Sequence, residues 1–486
     1  MPRRSSLPKT PVGIDGFDLI SAGGIPTSRS TLVVGTSGAG KTVFALQFLA
    51  LGLAKFGEGG VLVTFEERPE DLLLHAKSFG WELEEAVEDG RLVIVDASPR
   101  AEEEIAEVGD YDLSGLLAQI KHAAETTGSN RVVLDSLAAL FIQFGNEQVV
   151  RREMKRIIVA LRGAGLTTVI TSERTEEYGQ VARFGVEEFI ADNVIIMRNS
   201  LENEKRRRTI EILKFRGASH DKGEYPFSIS GRSGISVIPL SAIELGQAVT
   251  EERISSGVAE LDEMCGGGYF RDSLTLVSGA TGTGKSLLAA SFAQAGLEAD
   301  ERCLMFSFEE SENQVIRNAG SWGFDLAQAR EEGSLHIHSQ YPERMALEDL
   351  LIEIKSELEE FKPRRVAIDS VSALERTSST KAFREFISGL SSFLKSTQTA
   401  GLFIHTSTKL MGDDVVTEAH VSTMSDAIVM LRYFQSGGEL RRCVNVLKLR
   451  GSYHSPEIRE YVIGDGGMEI RGQLPNVDQV LGQSYD

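Results

Sequence analysis

The stretch Gly35-Thr36-Ser37-Gly38-Ala39-Gly40-Lys41-Thr42 constrains this chain more than any other, and it occurs twice. The second copy reads Gly279-Ala280-Thr281-Gly282-Thr283-Gly284-Lys285-Ser286. Both fit the P-loop pattern, GxxxxGK followed by Ser or Thr. Glycines there let consecutive backbone N–H groups line a concave nest. At a helix N-terminus such a nest attracts phosphate oxygens. The lysine reaches the β- and γ-phosphates, and the hydroxyl ligates Mg²⁺. The flanks agree, since Ser30-Thr31-Leu32-Val33-Val34 reads as a buried strand and Val43-Phe44-Ala45-Leu46 as a helix. Leu274-Thr275-Leu276-Val277 and Leu287-Leu288-Ala289-Ala290 repeat that context. ATP is therefore expected on Gly38, Ala39, Gly40, Lys41 and Thr42, and again on Thr281, Gly282, Thr283, Gly284, Lys285 and Ser286. Thr42 and Ser286 are the expected Mg²⁺ hydroxyls.

The duplication is larger than the loop. Val63-Thr64-Phe65-Glu66-Glu67 returns as Phe306-Ser307-Phe308-Glu309-Glu310, a spacing of 243. Arg131-Val132-Val133-Leu134-Asp135-Ser136 returns as Arg365-Val366-Ala367-Ile368-Asp369-Ser370, and Lys214-Phe215-Arg216-Gly217 as Lys448-Leu449-Arg450-Gly451, both at a spacing of 234. So long a period means a tandem domain duplication, because repeat arrays cycle every ~20–50 residues. The expected division is a first domain over 1–240, a linker over 241–252, a second domain over 253–471 and a tail over 472–486.

Within the first half, short apolar runs at 61–65, 92–95, 132–134, 168–171, 194–197 and 209–213 read as strands. Leu113-Leu116-Leu117-Ile120 and Met154-Ile157-Ile158-Leu161 place apolar residues at helical spacing between them. This alternation predicts α/β domains, each a mainly parallel twisted sheet with helices on both faces. Ligands then bind beyond the carboxyl ends of the strands.

A P-loop needs an acidic partner. Asp135 and Asp369 end apolar runs, as a strand-tip aspartate supporting Mg²⁺ would. The pairs Glu66-Glu67 and Glu309-Glu310 read as the end of the strand after each P-loop helix, and are the candidate groups to orient or deprotonate the nucleophile. Side-chain alternation predicts that the two members of a pair differ in role. Glu309 is also a candidate Mg²⁺ contact. Lys214 with Arg216, and Lys448 with Arg450, lie far in sequence from their own P-loops, which suits cations offered to a neighbouring subunit's nucleotide. The run Lys205-Arg206-Arg207-Arg208 reads as solvated.

Composition excludes several classes. Three scattered cysteines, Cys265, Cys303 and Cys443, lack metal-ligand spacing. No apolar run is long enough to span a membrane, and the first residues lack a signal peptide's apolar stretch, so a cytoplasmic protein is expected. A formal net charge of −20 disfavours nucleic acid and acidic membranes as partners.

These motifs, with Val150-Arg151-Arg152-Glu153, Glu176-Glu177-Tyr178-Gly179, Gly223-Glu224-Tyr225-Pro226-Phe227 and Leu261-Asp262-Glu263-Met264-Cys265-Gly266-Gly267-Gly268, resemble the KaiC family. That family comprises double-domain RecA-like ATPases and autokinases of the cyanobacterial circadian clock. The resemblance spans about residues 10 to 480. It implies a two-tier homohexamer with ATP and Mg²⁺ at subunit interfaces, and proton acceptors at Glu66 and Glu309. It extends the nucleotide contacts to Ser78, Lys214, Phe215, Arg216 and His220 in the first half. In the second half it adds Trp322, Arg442, Lys448, Leu449, Arg450, Gly451, Ser452 and His454. It also implies autophosphorylation, with its reversal, at Ser422 and Thr423, and a KaiB-like partner docking on the first domain near 97–112. The first half has Ala191-Asp192-Asn193 at the corresponding place, without an acceptor pair. The chain ends soon after Leu481, so dependence on the activator KaiA, which docks on a longer tail in the family, is not expected. Two other classes stay open: a RecA/RadA-like DNA-processing ATPase, and a nucleotide-gated scaffold with little turnover. The acidic charge weighs against the first, and the intact Lys, Asp and Glu sets against the second.

Overall fold

A computed structural model describes residues 7–98, 114–136, 147–181, 190–202, 205–231, 233–239, 249–407, 421–436 and 438–474. Contacts divide the chain into two units, 1–242 and 243–486.

The first unit is built on one nine-stranded sheet. From edge to edge its strands are Gly234–Val237, Glu224–Ser230, Lys205–Phe215, Asn193–Glu202, Ser30–Gly35, Thr167–Glu173, Arg131–Asp135, Gly60–Thr64 and Leu92–Asp96. The last six run parallel and the first three are added antiparallel. The central strands are continuous apolar runs because both of their faces are covered. Leu32 and Val34 pack against Leu117, Ile120, Met154 and Ile157 of helices Ser114–Thr127 and Glu147–Gly163. Val33 points the other way, to Phe44 and Phe48 of helix Lys41–Phe56. The second unit repeats the same strand order around Leu274–Gly279.

Two expectations need revision. The runs at 194–197 and 209–213 are pieces of one long antiparallel hairpin, Asn193–Glu202 with Lys205–Phe215. Periodicity found only its most apolar stretches. The basic run 205–208 lies inside that hairpin, so strand alternation buries part of it. Arg207 is buried with Glu202 at 3.6 Å, and Arg206 donates to Asn199 O at 2.9 Å.

The duplicated arginine that opens each aspartate strand has a structural task. Arg131 is 1% exposed, pairs with Glu58 at 2.5 Å and donates to Phe48 O and Pro11 O. Arg365 pairs with Glu301 at 2.6 Å and donates to Ser255 O and Phe292 O. Each guanidinium lies against the P-loop helix where only glycine leaves room: a Cβ on Gly52 or Gly296 would come within 2.7 or 2.6 Å of the arginine Cδ. Burial alone would raise the Glu301 carboxyl, but hydrogen bonds from Arg271 and Arg365 bring it below its ordinary range. Arg365→Ala strips one side of that buried network and is expected to cost about 3–5 kcal/mol. Urea unfolding monitored on the second unit checks this, and a loss under about 1 kcal/mol, typical of exposed pairs, would refute it.

Among the described residues no helix is long and apolar enough to cross a membrane. All three cysteines are buried as free thiols, and burial pushes each up to about 12.

Candidate active sites

The first site forms where strand Ser30–Gly35 turns into helix Lys41–Phe56. Gly38 and Gly40 take φ of 75° and 94°, the left-handed region where a side chain would be strained. Among the described residues no side chain caps the helix, which leaves its first N–H groups open to an anion. Lys41 Nζ arches back to Gly35 O and Thr36 O, 3.0 Å each. Asp135 ends the strand two places away in the sheet, and its carboxylate accepts the hydroxyls of Thr171 and Thr42. Burial raises Asp135 above the usual carboxylate range, against those hydrogen bonds and the Lys41 charge. The neighbouring Ser136 Oγ is buried with no hydrogen-bond partner among the described residues.

A cleft of about 490 Å³ opens above the loop. Its lining joins Gly38, Gly40, Lys41, Thr42, Glu66, Glu67, Ser78 and Asp135, the core of the expected set. Ala39 is not part of that lining, and its side chain packs in the apolar core. Glu66 and Glu67 do not sit on the strand: Gly60–Thr64 ends first, and both lie in the bend beyond it. Strand alternation therefore does not separate them, and both line the cleft. Phe65 N bonds Asp135 O at 3.0 Å and ties the bend to the aspartate strand. Burial raises Glu66, with Glu173, Asp135 and Glu67 adding to it. Burial and Asp135 raise Glu67, while His75, 3.4 Å away, opposes them.

The same groups meet in the second unit. Lys285 Nζ donates to Ala280 O at 2.8 Å. Asp369 accepts from Ser286 and is raised to about 6, chiefly by burial. Here the site is tighter, with a cavity of about 20 Å³ lined by Ser286, Glu310, Asn318, Trp322 and Asp369 among others. Asn318 Nδ2 holds both Glu310 oxygens, at 3.1 and 3.2 Å. Arg376 pairs with Glu309 at 2.8 Å. The loop is braced from outside: Tyr433 OH donates to Thr281 O at 3.3 Å, Arg442 Nε to Gly282 O at 3.2 Å and Tyr461 OH to Thr283 O.

The remaining expected contacts do not line either cavity. Lys214 Nζ donates to Ala191 O at 2.9 Å, Phe215 packs in the core, and His220 stands edge-on to that ring. Lys448 Nζ donates to Ser422 O and Ser425 O at 2.9 and 2.7 Å, and Arg450 to Thr423 O at 2.7 Å. Leu449 is core, and Ser452 Oγ donates to Tyr453 O. Gly451 and His454 follow on the same segment, outside the cavity lining. The Lys-x-Arg cations thus have partners in their own chain, which the linear sequence concealed. The lysine contact is duplicated, because Ala191 and Ser425 stand the same distance before their lysines.

Ser422 and Thr423 lie on the helical turn Val421–Met424, where Thr423 is exposed and Ser422 half-buried. Sheet register aligns Asn193 with Ala427, so Ala191-Asp192 correspond to Ser425-Asp426. The expected acceptor pair itself aligns with Glu188-Phe189, which again offers no hydroxyl but lies outside the described residues. The expected docking segment, from 99 onward, and the tail from 475 also lie outside them.

Sequence reading missed His75, Phe79, Ser136 and Glu173, which all line the first cleft. Glu173 was findable as the tip of a β-branched run, and His75 by its spacing of 243 from Asn318.

A family model described as the KaiC ATPase matches the chain twice, over residues 10–242 and 254–474. The chain is 51% identical over 475 residues to the circadian clock protein KaiC3 of Synechocystis sp., covering 98% of this chain and 94% of that one. To the circadian clock oscillator protein KaiC of Thermosynechococcus vestitus it is 50% identical over 478 residues, covering 98% and 92%. To that of Synechococcus elongatus it is 50% identical over 471 residues, covering 97% and 90%.

Proposed function

The chain belongs to the KaiC family of ATPases, and on that premise we propose that it is a hexameric, Mg²⁺-dependent ATPase and serine/threonine autokinase that serves a circadian or hourglass-type timer. The observation that carries this is the doubled set of P-loop lysine, hydroxyl, strand-tip aspartate and glutamate pair, against an acceptor Ser422-Thr423 in the second repeat only. The residues fit a magnesium nucleotide. Thr42 with Asp135, and Ser286 with Asp369, bring a hydroxyl and a carboxylate oxygen together beside an open helix N-terminus. A magnesium ion held by these groups would help neutralise the phosphate charge.

In the first site, the loop N–H groups and Lys41 hold the phosphates in line with a water. The water oxygen bonds the γ-phosphorus as the bond to the β–γ bridging oxygen breaks. That electron pair leaves with ADP, and the water proton passes to Glu66. In the second site the nucleophile is the Ser422 or Thr423 hydroxyl, and its proton passes to Glu309. Lys214, Lys448 and Arg450 would reach a neighbouring subunit's nucleotide only on leaving the carbonyls they hold here, and Arg216 would act beside Lys214. A KaiB-like protein is the expected partner of the first domain.

Intact-mass spectrometry during incubation with Mg·ATP tests the reading. Species one and two phosphates heavier are expected, with none in Ser422→Ala/Thr423→Ala. An unchanged mass would exclude the autokinase. Light scattering is expected to show ATP-dependent hexamers, and monomer alone under saturating ATP would exclude the ring.

A further inference from the structure

The two sites share their motifs but differ in the charges that flank them. Strand Thr167–Glu173 lies directly beside the P-loop strand, with Glu173 opposite Gly35 and Arg174 N bonded to Gly35 O at 3.0 Å. This places Glu173 at the root of the loop, where its side chain lines the cleft with Lys41, Thr42, Glu66, Glu67, His75 and Asp135. Its charge acts on both Lys41 and Glu66 more strongly than any other charge there. In the second unit the same register position, opposite Gly279, is Thr406, whose N–H is taken by Ser372 Oγ at 2.7 Å. The second unit instead sets a cation beside its glutamate, Arg376 on Glu309 at 2.8 Å. By the spacing of 234 the first repeat has Ile142 at that position.

We propose that Glu173 is a positioning residue for hydrolysis at the first site, and that its replacement by Thr406 helps reserve the second site for phosphoryl transfer to protein. A carboxylate at the root of the loop acts on two groups. It strengthens Glu66 as proton acceptor, because a second negative charge nearby favours the protonated form. It also opposes the γ-phosphate anion and the phosphate product, so the site gives up nucleotide affinity and releases product more readily. The second site has the reverse arrangement. Its Glu309 has a guanidinium beside it, and the neighbouring strand sets a threonine rather than a carboxylate opposite Gly279. The inference rests on the reading of Glu66 as the proton acceptor for water.

The test uses the full chain carrying Lys285→Ala, so that ATP turnover reports the first site alone. Glu173→Gln and Glu173→Thr are compared with Glu173→Asp and with Glu66→Gln, measuring kcat, KM and ADP affinity. The expected result is a kcat about tenfold or more below the parent, a smaller loss than the about 10²–10⁴-fold of removing a general base outright. KM and the ADP dissociation constant should stay level or fall, and Glu173→Asp should recover part of kcat. A kcat within twofold of the parent, with Glu66→Gln inactive, would overturn the proposal and leave the Glu66 reading standing. A harmless Glu66→Gln would overturn both. A loss of kcat matched by weaker ADP binding and a lower melting temperature would show a structural residue and overturn the proposal.

Discussion

Replacing Glu66 and Glu67 together by glutamine is expected to lower ATP turnover at neutral pH by about 10²–10⁴-fold, the usual range for loss of a general base. Both carboxylates line the first cleft, Glu66 as the proton acceptor and Glu67 beside it. The double change removes the acceptor together with its neighbour. Glutamine keeps the size and hydrogen-bonding reach of glutamate but accepts no proton at this pH. The bend itself should survive, because Thr64 Oγ1 bonds the Glu67 backbone oxygen at 2.5 Å and Phe65 N bonds Asp135 O at 3.0 Å, neither through a side-chain carboxylate. Nucleotide binding should therefore persist while steady-state phosphate release falls. The residual rate would come from the second site. A double variant that retains turnover within about twofold would show that the first site is not the main ATPase or that these carboxylates are not its base.

The second large effect concerns where the acceptor hydroxyls meet their phosphate. Ser422 and Thr423 line no part of their own chain's second cavity, which is bounded by Ser286, Glu310 and Asp369. Their helical turn is clasped through its carbonyls by Lys448 and Arg450 of the same chain. A hydroxyl needs a base at its proton and an in-line phosphorus about 3–3.5 Å away. On the reading proposed above, both conditions would be met at a neighbouring subunit's ATP. Mixing Lys285→Ala chains, which cannot hold ATP in the second site, with Ser422→Ala/Thr423→Ala chains, which lack the acceptors, is expected to place labelled phosphate on the Lys285→Ala chains. Each parent alone should stay unlabelled. Absence of label in the mixture, with wild type labelled normally, would confine transfer to one chain or to other residues. Each added phosphate carries about −1.5 to −2 charges. Placed near Asp426, which already draws Lys395 to 2.9 Å and Arg450 to 3.8 Å, it would compete for the same cations. The clasp on the turn Val421–Met424 is thus the contact most exposed to the modification.

The duplication, the P-loops, the aspartates and the glutamate pairs were legible in the linear chain because each depends on residue type at fixed short spacing. A glycine nest needs its glycines within eight positions, and a buried parallel strand needs an unbroken apolar run. Those signals carry the fold class and the nucleotide chemistry. Three features were not legible. Glu66 and Glu67 were read by strand alternation, which lapses one residue past Thr64, where the backbone bends. Lys448 and Arg450 looked unemployed because their partners, the carbonyls of residues 422, 423 and 425, are backbone atoms that carry no sequence signature. Glu173 looked like any strand-end acid until the sheet order set its strand beside the P-loop. By itself, then, the sequence determined two α/β nucleotide-binding domains and the P-loop groups proposed to hold phosphate, because local spacing encodes them. Only the tertiary structure decided which charges surround those groups, Glu173 at the first site and Arg376 at the second, because strand neighbours and strand-tip bends join residues more than 100 positions apart in one case and 67 in the other.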